Sequence, residues 1–385
     1  MMRTGPRPFA FGLAALCTLI FLAVLRTGNA HVHRETLYVF GTLVEIEIRG
    51  EDEATAEAAT AAVGRLLQEL HTDWHAWRPG ALTVLNAAIT RGEAMTIDDR
   101  LAGVLRDGQV LSCKSGGLFD PAIGGLIDLW GFHADTPPAG PPPAPAEIAA
   151  LVEARPRIAD LRVQGNRVGA ANAAVQLDLG GFAKGAALDL AAAKLRALGI
   201  ENAVLNAGGD VNILGTHGSR LWRVAIRDPF VWGAVAAVSL QPGEVLYTSG
   251  NYERYFDHEG DRFAHIIDPR TGYPVREIVS VSVLDTTGAR ADAAATALSV
   301  AGRADWPRVA AAMGVPAVLM ITDTGALLAS PEMMKRLDPL GDGLDAPVEV
   351  VPLPSGAFTP DCIASPRQGG ALERVAFNRP HSRPP

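Results

Sequence analysis

Cysteine is the rarest residue of this chain: Cys17, Cys113 and Cys362 are the only three in 385, and no two form a Cys-x-x-Cys pair. That speaks against a thiol-redox enzyme. No Gly-x-Ser-x-Gly elbow occurs either, which removes the common serine-hydrolase arrangement. The glycine-rich stretch Leu177–Gly185 fits neither Gly-x-Gly-x-x-Gly nor the Walker pattern, so neither nucleotide-binding fold follows from it. Positive charge is also short. Lys and Arg number 34 against 42 Asp and Glu, and the net charge of −8 argues against a nucleic-acid binder, while leaving room for a local basic patch that holds phosphates. Aromatics make up only 6%, so each Trp and Tyr carries weight.

What the chain has is apolar bulk. Nearly half its residues are hydrophobic, enough for one large or two ordinary domains. The N-terminus reads as an export signal: Arg3 and Arg7, an apolar core over Ala14–Leu25, and Gly28 and Ala30 at the −3 and −1 positions of a cleavage site. Cleavage after Ala30 makes 1–30 a signal peptide and His31 the first mature residue, in the periplasm. An uncleaved inner-membrane anchor is the alternative, because Phe9–Leu25 approaches the length of a bilayer span. In an oxidising compartment Cys113 and Cys362 could pair.

The body spans 31–332 and the proline-rich tail 333–385. Within the body, Leu43–Ile48 alternates as a strand after Phe40-Gly41-Thr42, and Glu53–Leu70 carries a helical stripe. A loop bearing Trp74, Trp77 and Arg78 follows, then a helix over Leu101–Leu111. A proline-rich loop covers 134–146, and helix resumes at Glu147–Ala154. Strands are predicted at Val175–Leu179 and Ala203–Leu205, flanking the helix Ala186–Leu198 that Gly199 terminates. Asn206–Asp210 forms a tight glycine turn. Trp222–Ile226 and Val245–Tyr247 are strands, Tyr252–Ile267 a hairpin, and Ile278–Leu284 a strand. A helix over Arg290–Ala301 ends at Gly302, and a last hairpin turns at Asp323-Thr324-Gly325. Strands and helices alternate without a strict βαβ period, so the fold class is α+β, mixed sheets with packed helices.

Three places hold chemistry. Leu177-Asp178-Leu179-Gly180-Gly181-Phe182-Ala183-Lys184-Gly185 joins an apolar approach, a carboxylate, two glycines and a lysine to a helix start. Glycines admit a ligand close to the backbone, and free N–H groups at a helix start favour phosphate. A strand–turn–helix junction with packing glycines reads the same way. Asp292 and Thr296 lie four apart on a helix with only alanines between, which puts two hard oxygen donors on one face, as Mg²⁺ prefers. Alternatively Asp292 caps the helix and Thr296 bonds back to a carbonyl. His265 begins His265-Ile266-Ile267-Asp268-Pro269-Arg270-Thr271-Gly272, either as a turn residue or as a base titrating near neutrality. His31, His33, His71 and His75 read as surface residues.

Taken together these segments resemble the FAD:protein FMN transferase family, the ApbE type, over roughly Leu37–Ser330. Phe40-Gly41-Thr42, Gly116-Gly117-Leu118-Phe119-Asp120-Pro121 with Leu129-Trp130-Gly131-Phe132, Leu177–Gly185, Asn206–Asp210, His265–Gly272 and Ala291–Thr296 occur in the family's order. The resemblance implies transfer of FMN from FAD to a Thr or Ser of an exported or membrane flavoprotein, with release of AMP. That acceptor would belong to a membrane electron-transfer complex. It also implies Mg²⁺ on Asp292, Thr296 and the carbonyl of Gly181, FAD contacts from Phe40, Trp77, Leu118, Phe119, Asp120, Asp178 and Lys184, and His265 beside the reacting phosphate.

Two positions depart from the family pattern: Phe40 stands where many relatives have Met, and Gly80-Ala81 follow Trp77 where they often have Ser-Glu. An FAD pyrophosphatase that uses water as nucleophile, or a flavin-binding accessory protein without turnover, would share much of this residue set. The export reading predicts a mature N-terminus near His31 in the periplasmic fraction. N-terminal sequencing after cell fractionation checks it, and a full-length cytoplasmic product would overturn it.

Overall fold

A computed structural model describes residues 31–136, 138–339 and 347–355. The signal segment and Cys362 lie outside them; Cys113 is engaged in a disulfide. The frame is a nine-stranded sheet whose strands lie side by side in chain order. They are β1 (Val32–Val39), β2 (Thr42–Arg49), β3 (Asn202–Ala207), β4 (Asp210–Leu214), β5 (Val245–Gly250), β6 (Ile278–Asp285), β7 (Ala317–Thr322), β8 (Leu327–Ala329) and β9 (Val348–Val350). Neighbours are antiparallel except β8 and β9, which are parallel. The sheet is therefore mixed, as an α+β chain requires. In β2 the alternation is plain: Val44, Ile46 and Ile48 are buried, while Leu43 is exposed. All eight residues of β6 are buried, because both faces of the sheet are covered there.

Helices cover one face. The described ones are α1 (Glu53–Asp73), α2 (Ala81–Thr90), α3 (Asp99–Lys114), α4 (Gly124–Leu129), α5 (Pro145–Glu153), α6 (Ala183–Ala197), α7 (Gly288–Met313) and α8 (Pro331–Met334). The main core joins α1, α3, α6 and α7 to the sheet through residues such as Val63, Leu105, Leu188, Leu298 and Val281. Helix α7 is broken at Gly302, whose φ of 69° and ψ of −179° are not helical, at the position predicted from the sequence as its end. The other face is covered by a three-stranded sheet of Trp222–Arg227, Ala234–Leu240 and Leu337–Pro339. Its Trp222, Ile226 and Val238 pack on Ile213, Leu246 and Leu284. Thus the described part of the tail is tied to the body: Leu337–Pro339 pairs with Ala234–Leu240, and Val348–Val350 extends the main sheet. A third cluster, with Trp130, Phe132, Phe256 and Phe263, carries the hairpin Tyr255–His258 and Asp261–Ala264.

The strand predicted at Val175–Leu179 does not form. On one edge its backbone bonds only to the 121–124 turn, Gln176 and Asp178 donating to the carbonyls of Ala122 and Pro121 at 3.2 and 2.8 Å, with a single bridge from Gln176 to Ile123. The Asn86 side chain occupies both backbone groups of Leu177, donating to its carbonyl at 2.9 Å and accepting from its N–H at 2.7 Å. A side-chain amide here substitutes for a neighbouring strand.

Helices α6 and α7 cross at two glycines. A Cβ on Gly185 would overlap the carbonyl of Gly288, and one on Gly288 would lie 2.8 Å from the carbonyl of Gly185. Neither obstacle is a side-chain end that can move aside. Gly185→Ala should therefore lower the urea midpoint by the equivalent of about 1–3 kcal/mol or more, the scale of overpacking. An unchanged midpoint would show that the crossing has slack.

Candidate functional site

Three elements meet where α6 begins. Before α6, Asp178 folds back on its own turn: its Oδ1 accepts from the N–H of Gly180 at 2.7 Å. Gly181 leaves room for Phe119, whose ring would be 3.2 Å from a Cβ placed there. The carbonyl of Gly181 accepts from the Thr296 hydroxyl at 3.3 Å. From α7, the Oδ2 of Asp292 accepts from the N–H of Gly185 at 3.0 Å. The three expected metal donors, Gly181, Asp292 and Thr296, thus converge on the first turn of α6. Neither structural alternative for the pair holds. Asp292 caps no end of its own helix, whose first N–H groups, Gly288 and Ala289, are taken by Asp189 of α6. Thr296 bonds across to Gly181 rather than back along α7.

Lys184, in the first turn of α6, donates to the buried Oδ2 of Asp210. Asp210 occupies the point where the main sheet opens. Strands β4 and β5 pair only at Asn212–Val245 and Val211–Leu246, and beyond them the N–H of Thr248 donates to Asp210 Oδ1 at 3.0 Å. Burial alone would push the Lys184 ammonium down, but the Asp210 and Asp292 carboxylates outweigh it and hold it above the ordinary lysine range. Asp292 is pushed up to about 8, by burial first and by the Asp210 charge second. Two buried carboxyl groups therefore face one lysine: Asp210 is ion-paired with Lys184, and Asp292 keeps its proton through the neutral range. Ser249 completes this group, with its hydroxyl 3.4 Å from that of Thr296.

The aromatic wall is built from rings that pass from one element to the next. Phe40 and Gly41 both have positive φ, 53° and 74°, as the two-residue turn between β1 and β2 requires. The N–H of Phe40 donates to His71 Nδ1 at 3.2 Å, and the two rings meet edge on at 5.5 Å. His71 contacts His75, and His75 contacts Trp77 with 4.3 Å between centroids. Trp77 stacks on His133 at 5.0 Å and 19°. His133 Nε2 in turn lies 2.8 Å from Asp178 Oδ2. Burial would raise the Asp178 carboxyl, but the hydrogen bonds from His133 and Gly180 hold it below the usual range. His71 and His75, read from the sequence as surface residues, are half-buried links in this wall. His71 meets Phe40 across 31 residues, a contact that periodicity does not reveal, whereas His75 stands two residues before Trp77.

His265 ends the hairpin on the opposite side. The carbonyl of Arg254 accepts from its backbone N–H at 3.0 Å and lies 3.1 Å from its Nδ1. With the proton on Nδ1, the lone pair sits on Nε2. Burial first, and the Arg254 and Lys184 charges next, push the imidazole down to about 4. It is neutral at physiological pH. The Arg254 guanidinium donates to the carbonyls of Phe132 and Ala134, each at 2.8 Å, and so ties this hairpin to the His133 segment.

Leu118, Phe119 and Asp120 lie behind the site, with buried side chains. Asp120 is committed internally: it accepts from the N–H groups of Ala122 and Ile158 at 3.0 and 2.9 Å, and Ser112 Oγ lies 3.3 Å away. His133, Ser249 and Arg254 went unread in the sequence. His133 directly follows the Leu129–Phe132 segment and was the most legible of them; Ser249 and Arg254 carry no local pattern.

Residues 40–319 match the model of the ApbE family. A Rhodobacter capsulatus FAD:protein FMN transferase is 56% identical over 356 residues, which cover 92% of this chain and 68% of that protein. One from Vibrio cholerae is 31% identical over 318 residues, covering 81% and 94%. Among solved structures, the ApbE protein of Thermotoga maritima superposes with a TM-score of 0.73 at 28% identity, over 80% of this chain and 99% of its own. The flavin transferase ApbE from Vibrio cholerae gives 0.71 at 29%, over 80% and 100%.

The Asp120 geometry separates a loop anchor from a ligand contact. Burial lifts its carboxyl from 3.8 to about 6. The folded state then holds its proton more tightly than the unfolded chain, so stability falls as pH rises between those values. Asp120→Asn keeps the acceptor for both N–H groups and should abolish that pH dependence while sparing FAD binding. Asp120→Ala should cost about 1–3 kcal/mol for each orphaned donor. Urea titrations from about pH 4 to 7 and FAD fluorescence check both; loss of FAD binding in a stable Asn variant would place Asp120 against the ligand.

Proposed function

The chain belongs to the ApbE family, and from that premise we propose that it transfers FMN from FAD to a Thr or Ser hydroxyl of an exported or membrane flavoprotein, with Mg²⁺ in the site and AMP as the leaving product. The relatives named above, all flavin transferases or ApbE proteins, support the reaction class. The observation that carries the finer reading is the convergence of the Gly181 carbonyl, the Thr296 hydroxyl and the Asp292 carboxylate beside the Lys184–Asp210 pair.

That donor set fits Mg²⁺. All three donors are hard oxygens, and a divalent cation would displace the proton that the buried Asp292 carboxyl holds. Asp292 keeps Oδ1 for it while Oδ2 holds the N–H of Gly185. Mg²⁺ held by Gly181, Asp292 and Thr296 would supply charge that neutralises a pyrophosphate.

The chain's own residues account for the rest. Lys184 adds a fixed positive charge beside the phosphates, held in place by Asp210. Trp77, backed by His133 and fixed by His75, offers a flat apolar surface of the kind that stacks on an isoalloxazine ring. His265 Nε2 accepts the proton of the acceptor hydroxyl as its oxygen bonds to the FMN-side phosphorus. The bond from that phosphorus to the bridging oxygen breaks, and AMP departs with that oxygen. A phosphate leaving group needs little protonation, so positioning and charge dominate the step. Export to an oxidising compartment is part of this proposal, and the disulfide at Cys113 is consistent with it.

Single-turnover transfer to a purified acceptor domain, followed by intact mass, tests the whole. The wild type should add one FMN only when Mg²⁺ is present, whereas FMN and AMP released without labelling would identify a pyrophosphatase. Asp292→Ala should abolish Mg²⁺-dependent transfer in a folded protein. His265→Asn should bind FAD nearly normally yet transfer at least about a hundredfold more slowly. Because its imidazole is already neutral, the wild-type kcat/KM should show no acid limb from His265 between about pH 5.5 and 8. A His265→Asn variant with wild-type rate would move the base elsewhere.

A further inference from the structure

Among the described residues, one run of three consecutive exposed large hydrophobic side chains lies outside this site. In the loop joining Trp222–Arg227 to Ala234–Leu240, Phe230, Val231 and Trp232 are 54, 66 and 99% exposed. An isolated surface Leu needs no explanation, but three consecutive large apolar side chains at a hairpin tip form a patch of the kind that marks an interaction site. The tip is also preformed. Asp228 Oδ1 accepts from the N–H groups of Phe230 and Val231 at 2.8 and 3.1 Å, and the Asp228 N–H donates to the carbonyl of Gly233 at 3.1 Å. A fixed loop that holds a tryptophan in water loses little further entropy on binding.

Its position says what it meets. The hairpin is joined to the wall of the site at Arg227, which pairs with Glu253 at 3.6 Å and lies 5.2 Å over the Tyr252 ring. Glu253 acts electrostatically on Lys184. Phe230 reaches to 3.9 Å of where a Gly325 Cβ would stand. The strand registers, Gly250 against Ser280 and Ile278 against Thr322, place those turns at the same end of the sheet as Ser249 and Thr296. We propose that Phe230, Val231 and Trp232 form the docking element for the acceptor protein, inserting into an apolar groove of it so that its hydroxyl-bearing segment lies over the Lys184–Asp292 site. The proposal rests on the transferase reading, because a protein acceptor must cover the mouth of that site and the tip continues the same surface. Lipid is the weaker occupant: residues 228–233 contain an Asp and no Lys or Arg, the flanking Arg227 is paired with Glu253 over the Tyr252 ring, and the chain carries a net charge of −8. Membrane-seeking aromatic segments are usually flanked by basic residues.

Trp232→Ser, with Trp232→Phe as the conservative control, tests this in the full-length protein. Two measurements are made with one purified candidate acceptor domain from a membrane electron-transfer complex: binding without FAD, by biolayer interferometry, and steady-state transfer at saturating FAD and Mg²⁺. Trp232→Ser should weaken binding and raise the acceptor KM by at least about tenfold, the scale of a central aromatic anchor. Its kcat and FAD affinity should be unchanged, and Trp232→Phe should recover most of the loss. Binding that depends on Trp232 without transfer by the wild type would keep the docking site and sink the transferase reading. Transfer with the same KM in Trp232→Ser would sink the docking site and keep the reaction. Loss of co-sedimentation with phosphatidylcholine vesicles, or of a dimer in analytical ultracentrifugation, with acceptor binding intact, would reassign the tip to lipid or to a second copy.

Discussion

The site depends on how closely two helix backbones approach. Where α6 and α7 cross, Gly185 and Gly288 have no side chains, and the main chains meet at a distance that any Cβ would prevent. That approach lets Asp292 of one helix reach the N–H of Gly185 on the other, and Asp189 of the second reach Gly288 and Ala289 on the first. Each helix thus supplies the other with a carboxylate for an otherwise unpaired N–H group. Behind them Asn212 donates to Asp189 at 2.9 Å and accepts from Tyr247 at 2.6 Å, which extends the same network into the sheet. A buried network of this kind is stable only when every member is satisfied, so the crossing leaves little freedom to the residues above it.

Charge placement follows from that crossing. Asp210 sits where β4 and β5 part, Asp292 where α7 meets α6, and Lys184 reaches Asp210 from the first turn of α6. The protein sets one cation against two carboxyl groups, of which Asp210 is ion-paired with Lys184 and Asp292 holds a proton up to about pH 8. A further cation beside Asp292 would take the place of that proton. On the opposite wall burial first, and the Arg254 and Lys184 charges after it, keep the His265 imidazole unprotonated.

Most of the frame was legible in the sequence because its signals are local. Alternation marked β2, Gly199 and Gly302 marked helix ends, and the Gly208-Gly209 pair marked the turn between β3 and β4. What escaped has a physical reason in each case. Strand β1 is a mostly exposed edge strand and lacks an apolar face to read. Ala234–Leu240 is packed through small alanines that carry little hydrophobic contrast. Val175–Leu179 has strand composition, yet an Asn86 side chain took the place of its partner. In the site, Gly181, Lys184, Asp292 and Thr296 stand in short patterns with definite chemistry. His133 acquires its place only through contacts with Trp77 and with Asp178, 45 residues away in the chain. Asp120 was legible as a special residue, but its hydrogen bonds turn it inward.

The order of the strands has a consequence for how the molecule comes into being. Strands β2 and β3 are neighbours, yet the stretch 50–201 separates them, and it contains α1 to α6 with Asp178, Gly181 and Lys184. Asp292 and Thr296 arrive more than a hundred residues later on α7, the hydrogen bonds of Gly185 to Asp292 and of Thr296 to Gly181 spanning 107 and 115 residues. Closing such loops costs chain entropy before any contact offsets it, and non-local pairing of this kind is slow. The oxygen cluster forms only once the chain from β2 to the start of α7 has closed on itself, so possession of a complete site reports that this much of the body has folded.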